Sequence, residues 1–164
     1  MPVISRSELI ADEIGRALRG EAWHGPSILE LLDGVSADEA MQRPITSAHT
    51  IWELVLHITA WSNIAQRRLA GGQAEPYMDE DWPLPGDFTV ERWAAAREEL
   101  TESHDRLREI IISLSDARLA EHAPKSSNTI AMMLHGVAQH AAYHGGQIAI
   151  LKKAITTHHR RVAQ

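Results

Sequence analysis

Apolar residues recur at helical spacing in four blocks of this 164-residue chain, and breaks rich in Pro and Gly separate the blocks. Residues at steps of three and four share one face of a helix, whereas a half-buried strand requires alternation with a period of two. No segment sustains that alternation. The pattern therefore predicts an all-α fold: one domain over residues 1–164, built as a four-helix bundle with a broken first helix.

The breaks define the predicted helices. They are Ser5–Asp33 with an interruption at Gly20 to Ser27, then Thr50–Ala70, Thr89–Leu114 and Asn128–Ile155. Thr50 is followed three residues later by Glu53, which is the capping-box pattern of a helix start. We expect a connector over 34–48, an irregular loop over 73–87 and a fraying polar tail over 156–164. Long loops in compact domains are often functional, so the acidic stretch 75–87 is either a solvated loop or a lid over the mouth of the bundle.

Composition excludes several classes of protein. The chain has 16 basic and 22 acidic residues, and this balance disfavours a broad surface for nucleic acid or anionic membrane. It contains no Cys, which excludes disulfides, a Cys nucleophile and iron–sulfur ligation. No apolar run approaches the ~20 residues that span a bilayer, and the first residues lack the apolar core of a signal peptide. We expect a soluble, cytoplasmic protein with neither nucleic-acid nor membrane partners.

Two of the ten histidines lie on the interior stripe predicted for the last helix. The stripe steps by three and four through Met133, Val137, His140, His144, Ile148 and Leu151. At positions i and i+4, the imidazoles of His140 and His144 project toward the same point and can reach one metal ion. Because this spacing also arises by chance, the pair alone indicates ordinary core or surface histidines more often than a metal site.

His57 strengthens the metal interpretation. It shares a stripe with Leu54 and Ile64 near the middle of the second long helix. Three inward imidazoles at matching depth are costly without a metal, because neutral rings need hydrogen-bond partners and burial disfavours imidazolium. Three nitrogen ligands with open positions are typical of a catalytic metal site.

Supporting residues have two interpretations each. Glu53 either caps its helix or accepts a proton from the ring of His57, and Gln147 either faces the site or bonds a neighbouring helix. His49 and His24 are near the predicted helix entrances and could approach the site. Trp52, Trp61 and Trp93 are predicted to be core residues, and Trp23 and Trp82 to line a pocket or an interface.

Three segments of the chain are similar to those of a known family: WELVLHITAW, QHAAYHGGQIAIL and AWHGPS. Together they resemble the DinB-like (damage-inducible) superfamily over essentially the whole chain. The resemblance implies a four-helix bundle that holds a divalent metal, zinc or nickel, on His57, His140 and His144. It also implies a homodimer. Characterised relatives include S-transferases that use low-molecular-weight thiols and a mycothiol-dependent maleylpyruvate isomerase.

The resemblance implies a metal-dependent thiol transferase that acts on small electrophiles, in detoxification or stress response. One alternative is a protein without catalytic activity that binds a structural metal or a small molecule. Another is a metal-dependent hydrolase, with Glu53 or an acid of the loop as base. The sequence assigns no catalytic residue beyond the three ligands.

Overall fold

The computed structural model describes residues 4–73 and 75–162, with side chains up to Thr157, and this part of the chain is helical without a strand. The helices are α1 (Arg6–Arg19), α2 (Ile28–Leu32), α3 (Ala37–Met41), α4 (Ile51–Leu69), α5 (Val90–Ile112), α6 (Asp116–Ala120) and α7 (Ile130–Val162). The four long helices pack in the cyclic order α1, α5, α4, α7, so each contacts two others. The prediction of an all-α bundle is confirmed.

Side-chain caps fix where the helices begin. Four of them carry a complete capping box: Ser5 with Glu8, Ser27 with Glu30, Ser36 with Glu39, and Thr50 with Glu53. Each cap satisfies backbone N–H groups that have no partner within the helix, and its loss costs about 1 kcal/mol. The predicted break in the first element is confirmed, because α1 ends at Gly20 with φ +136° and α2 begins after Ser27.

Three segments differ from the sequence prediction. The connector 34–48 contains α3, and the predicted gap between the last two long helices contains α6. The prediction that the tail frays after Ile155 is wrong as far as Val162, because α7 continues to that residue. Neither Gly nor Pro follows Ile155 to end the helix. Residues 163 and 164 lie outside the described part.

The core consists of two apolar clusters with a polar layer between them. The first cluster includes Leu18, Trp52, Ile58, Trp93, Leu100 and Ile148. The second includes Ile14, Ala65, Leu107, Leu134 and Ala138. Between these positions lie five buried polar residues: Thr59 and Ser62 on α4, Ser103 and His104 on α5, and His144 on α7. Buried His57 borders this layer, one residue before Ile58. This polar layer contains the candidate site.

Candidate metal centre

Three histidines converge where α4 faces α7. Nε2 of His140 lies 2.9 Å from Nε2 of His57 and 3.0 Å from Nε2 of His144. His57 and His144 are buried, and His140 is half-buried. One ligand atom from each residue lies within 4.8 Å of the others. The structure therefore brings together the three residues predicted from the sequence, and they could form a metal site.

Hydrogen bonds on the far side of two rings fix their tautomers. His57 donates from Nδ1 to the backbone carbonyl of Asp81 at 2.5 Å, and His144 donates from Nδ1 to Oε1 of Gln147 at 2.8 Å. A neutral imidazole carries a single N–H, so Nε2 of both rings presents a lone pair to His140. Even a proton on Nε2 of His140 could bond only one of these lone pairs. The three Nε2 atoms therefore suit coordination of a cation better than a hydrogen-bond network among themselves.

The environment also keeps the rings neutral. Burial lowers the pKa of His57 and of His144. Burial lowers the pKa of His140 to about 3, and the neighbouring imidazoles of His144 and His57 act in the same direction. Imidazole binds metals in its neutral form, so all three rings are ready to ligate at pH 7.

The acidic loop forms the outer part of this site. The carboxylate of Asp81 accepts a hydrogen bond from Nε1 of Trp61 at 2.7 Å, while its carbonyl holds His57. The indole of Trp82 stacks on His57 at 3.7 Å and on His49 at 3.6 Å, each with an interplanar angle of 7°. Two imidazoles this close to one indole occupy its opposite faces, so Trp82 is held between them.

The supporting residues divide between the cap of α4 and the surroundings of the histidines. Glu53 caps α4 and accepts from Arg43 at 2.8 and 2.9 Å, so its interpretation as the partner of His57 is wrong and Asp81 has that role. Gln147 faces the site, as one interpretation held. His49 reaches the site through Trp82.

The remaining tryptophans and His24 divide between core, cleft and surface. Trp52 and Trp93 are core residues as predicted, at 1% and 4% exposure. The core prediction for Trp61 is wrong, because this half-buried side chain lines a cleft above the histidines. His24 lies in a separate groove between α1 and α7, beside the exposed Trp23.

Sequence reasoning missed two contributors to the polar layer. Asp81 is 24 residues from His57 in an irregular loop, and no periodicity relates the two positions. His104 is fully buried on α5 and donates from Nδ1 to the carbonyl of Leu100 at 2.9 Å. Its position between Leu100 and Leu107 on the apolar stripe was the available signal.

A cleft of ≈ 700 Å³ opens from the histidines toward solvent. Its walls come from α4, α7, the acidic loop and the segment that precedes α7. Besides the histidines, the lining includes Trp61, Arg68, Asp81, Trp82, Lys125, Met132, Met133, Val137 and Tyr143. This volume lies in the range of small-molecule sites, which reach about 1,000 Å³.

Comparison with protein families identifies the class to which this bundle and its histidine cluster belong. A family model described as the DinB superfamily matches residues 23–148. The chain therefore belongs to the DinB superfamily, as the sequence motifs implied. Comparisons with curated proteins and with solved structures gave no match. Among the described helices, none is long and apolar enough to cross a bilayer.

Proposed function

We propose that this protein is a metal-dependent transferase that joins a small thiol to an electrophile. The observation that carries the proposal is the convergence of three histidine Nε2 atoms at the base of an open cleft. We further propose zinc or nickel as the metal. A divalent ion at this position would lower the pKa of a bound thiol, so that a thiolate is available near neutral pH.

The chain's own residues prepare the site for this chemistry. Asp81 and Gln147 hold the protons of His57 and His144 on Nδ1, which leaves Nε2 free of protons in both rings. Trp82 covers one face of His57 and shields it from water. The apolar surfaces of Met132, Met133 and Val137 line the cleft, where they suit the carbon skeleton of a small electrophile.

Two alternatives use the same residues differently. In a binding protein without catalysis, the ion would be structural, but structural sites usually provide four protein ligands and this cluster provides three. In a hydrolase, an acid beside the ligands would act as base. Glu75 and Asp81 line the cleft, and the carboxylate of Asp81 already accepts from Trp61. The number of ligands favours a catalytic ion over a structural one. The preference for thiol transfer over hydrolysis rests on the membership of the DinB superfamily.

The assembly and partners belong to the same proposal. We propose a cytoplasmic homodimer that binds small molecules and neither nucleic acid nor membranes. The formal charge of −6 supports the absence of a nucleic-acid partner.

Substitution with Co(II) tests the proposed function, because its visible spectrum reports new ligands. Titration of the Co(II)-loaded protein with small thiols should shift the spectrum and produce an intense band from sulfur coordination. Activity screening with thiols and electrophiles then follows. A spectrum unchanged by any thiol would support a structural ion instead, and thiol-independent ester cleavage would support the hydrolase.

A further inference from the structure

The cleft extends beyond the histidines along one stripe of α4. His57, Trp61, Ala65 and Arg68 line it in succession. The guanidinium carbon of Arg68 lies 5.4 Å from the ring of Trp61, and that ring lies 5.7 Å from the ring of His140. The guanidinium is therefore no more than about 11 Å from the His140 ring. A small ligand can span this distance.

Two cations line this part of the cleft in a protein that is acidic overall. They are Arg68 on α4 and Lys125 in the segment between α6 and α7. Burial lowers the pKa of Arg68, and the carboxylate of Glu75 opposes that effect, so Glu75 acts on the same guanidinium. The other carboxylate of the cleft, Asp81, lies at the histidine end, where it accepts from Nε1 of Trp61. Away from that end, the two cations and Glu75 leave one positive charge, which suits a monoanion.

Lys125 is held in a backbone conformation that lysine rarely adopts. Its φ is +55°, in the left-handed region that favours Gly and Asn. The surrounding turn is fixed by hydrogen bonds from Ala123 N to Asn128 O at 2.9 Å and from Ser126 N to Ala123 O at 3.1 Å. Strained residues that the surrounding structure enforces are concentrated at binding sites. Here the strained residue is a cation in the wall of the cleft.

We propose that Arg68 and Lys125 form a carboxylate-binding subsite for an elongated ligand whose other end meets the three histidines. The ligand is a small molecule with an apolar middle, which lies along Met133 and Val137. Binding of a thiol at the histidine end, through a metal, rests on the proposed function. Binding of the carboxylate at the other end rests on the two cations alone. Glu75 competes with the ligand's carboxylate for Arg68.

Matched pairs of probes separate the two ends of the ligand. On the zinc-loaded protein, mercaptohexanoate and mercaptohexanol share the thiol and the carbon chain and differ in the carboxylate. We expect mercaptohexanoate to bind about tenfold more tightly by calorimetry, as one charged hydrogen-bonded contact provides. On the metal-free protein, octanoate and octanol make the same comparison without any contribution from a metal.

Variants assign the preference to particular residues. Arg68→Gln and Lys125→Asn should each reduce the carboxylate preference several-fold, Arg68→Lys should retain part of it, and Glu75→Gln should increase it. Lys153→Gln is the control, because it removes an exposed cation elsewhere on α7. Asn tolerates the left-handed conformation, so Lys125→Asn should leave the melting temperature unchanged or higher. Loss of binding in this variant cannot then be attributed to unfolding.

The outcomes distinguish this subsite from the proposed function. Equal binding of both probes in each pair, or a preference that survives in Arg68→Gln and Lys125→Asn, overturns the subsite even if zinc and thiols bind. If zinc does not load, the proposed function fails, and octanoate against octanol still decides the subsite. A preference for octanoate that depends on Arg68 supports the subsite in that case.

Discussion

At the scale of single residues, the clustered histidines depend on partners outside the cluster. Gln147 holds the proton of His144 on Nδ1, and Asp81 does the same for His57. Such partners fix the tautomer and the orientation of the ring. Their loss typically reduces metal affinity by about ten- to a hundredfold. The metal affinity of this chain should therefore respond to residues that touch no metal.

Gln147→Met tests this dependence. Methionine keeps the length of the side chain and removes the acceptor at 2.8 Å from Nδ1 of His144. We expect zinc affinity to fall at least about tenfold in competition with a chromophoric chelator. Gln139→Met is the matched control, because Gln139 is an exposed residue of the same helix. Equal affinities of both variants and the unchanged protein would contradict the role of Gln147.

His104 predicts a pH dependence of stability. Burial lowers its pKa from 6.5 to about 4, although the hydrogen bond to Leu100 opposes the effect. Between these values the unfolded chain binds a proton that the folded chain does not, so stability falls as pH decreases from 6.5 to about 4. The contribution of this one residue is about 3 kcal/mol when the pH has fallen through that interval.

Denaturant unfolding of the metal-free protein at several pH values measures this effect. The variant His104→Leu lacks the titrating group, so its free energy of unfolding should depend less steeply on pH in that interval. The comparison concerns the slope, and a uniform change in stability does not affect it. Identical slopes for the variant and the unchanged protein would show that His104 titrates normally.

At the scale of elements, the acidic loop is attached to α4 at three points in succession. Arg67 bonds Glu80 at 2.5 and 2.8 Å, Trp61 bonds Asp81, and His57 stacks on Trp82. Asp81 and Trp82 both contact His57, which is a candidate metal ligand. Order in the loop is therefore linked to occupancy of the metal site. By reciprocity, a metal that favours one orientation of His57 also favours the ordered loop.

Trp82→Ala tests the link between loop and site. Loss of the stack should lower zinc affinity about tenfold and increase the rate at which chymotrypsin cuts the loop. Zinc should slow cleavage in the unchanged protein. Met78→Ala is the control from the same loop, since Met78 is 96% exposed. If both variants bind zinc and resist chymotrypsin equally, the stack has no positioning role.

The sequence predicted the helices better than the contacts between them. Thr50 and Glu53 show the start of α4 directly, and Ser36 with Glu39 forms a similar capping box before α3, inside the predicted connector. The meeting of His57 with His140 was predictable because helical periodicity places both on interior stripes. The contact of Asp81 with His57 was not, because the path of an irregular loop depends on tertiary packing and leaves no periodic signal.

At the scale of the whole molecule, one exposed feature is consistent with the homodimer proposed above. Trp23 is fully exposed, beside a groove of ≈ 360 Å³ lined by Leu9, Ala17, Ala138 and Ala142. Light scattering after size exclusion should give twice the mass of one chain, and Trp23→Ser should shift the mass toward the monomer. A monomer in both proteins would contradict the homodimer, and a dimer in both would place its interface elsewhere.

The proposed chemistry requires that His57, His140 and His144 hold one divalent metal ion. Metal analysis by mass spectrometry on untagged protein tests it directly, with His140→Ala as the variant and His135→Ala as the control. His135 bonds Glu13 on the surface and is not part of the cluster. We expect about one zinc or nickel per chain in the unchanged protein and in His135→Ala, and loss of the metal in His140→Ala. Absence of metal from the unchanged protein, even after reloading, would rule out a metal site and leave the three histidines as a buried polar cluster.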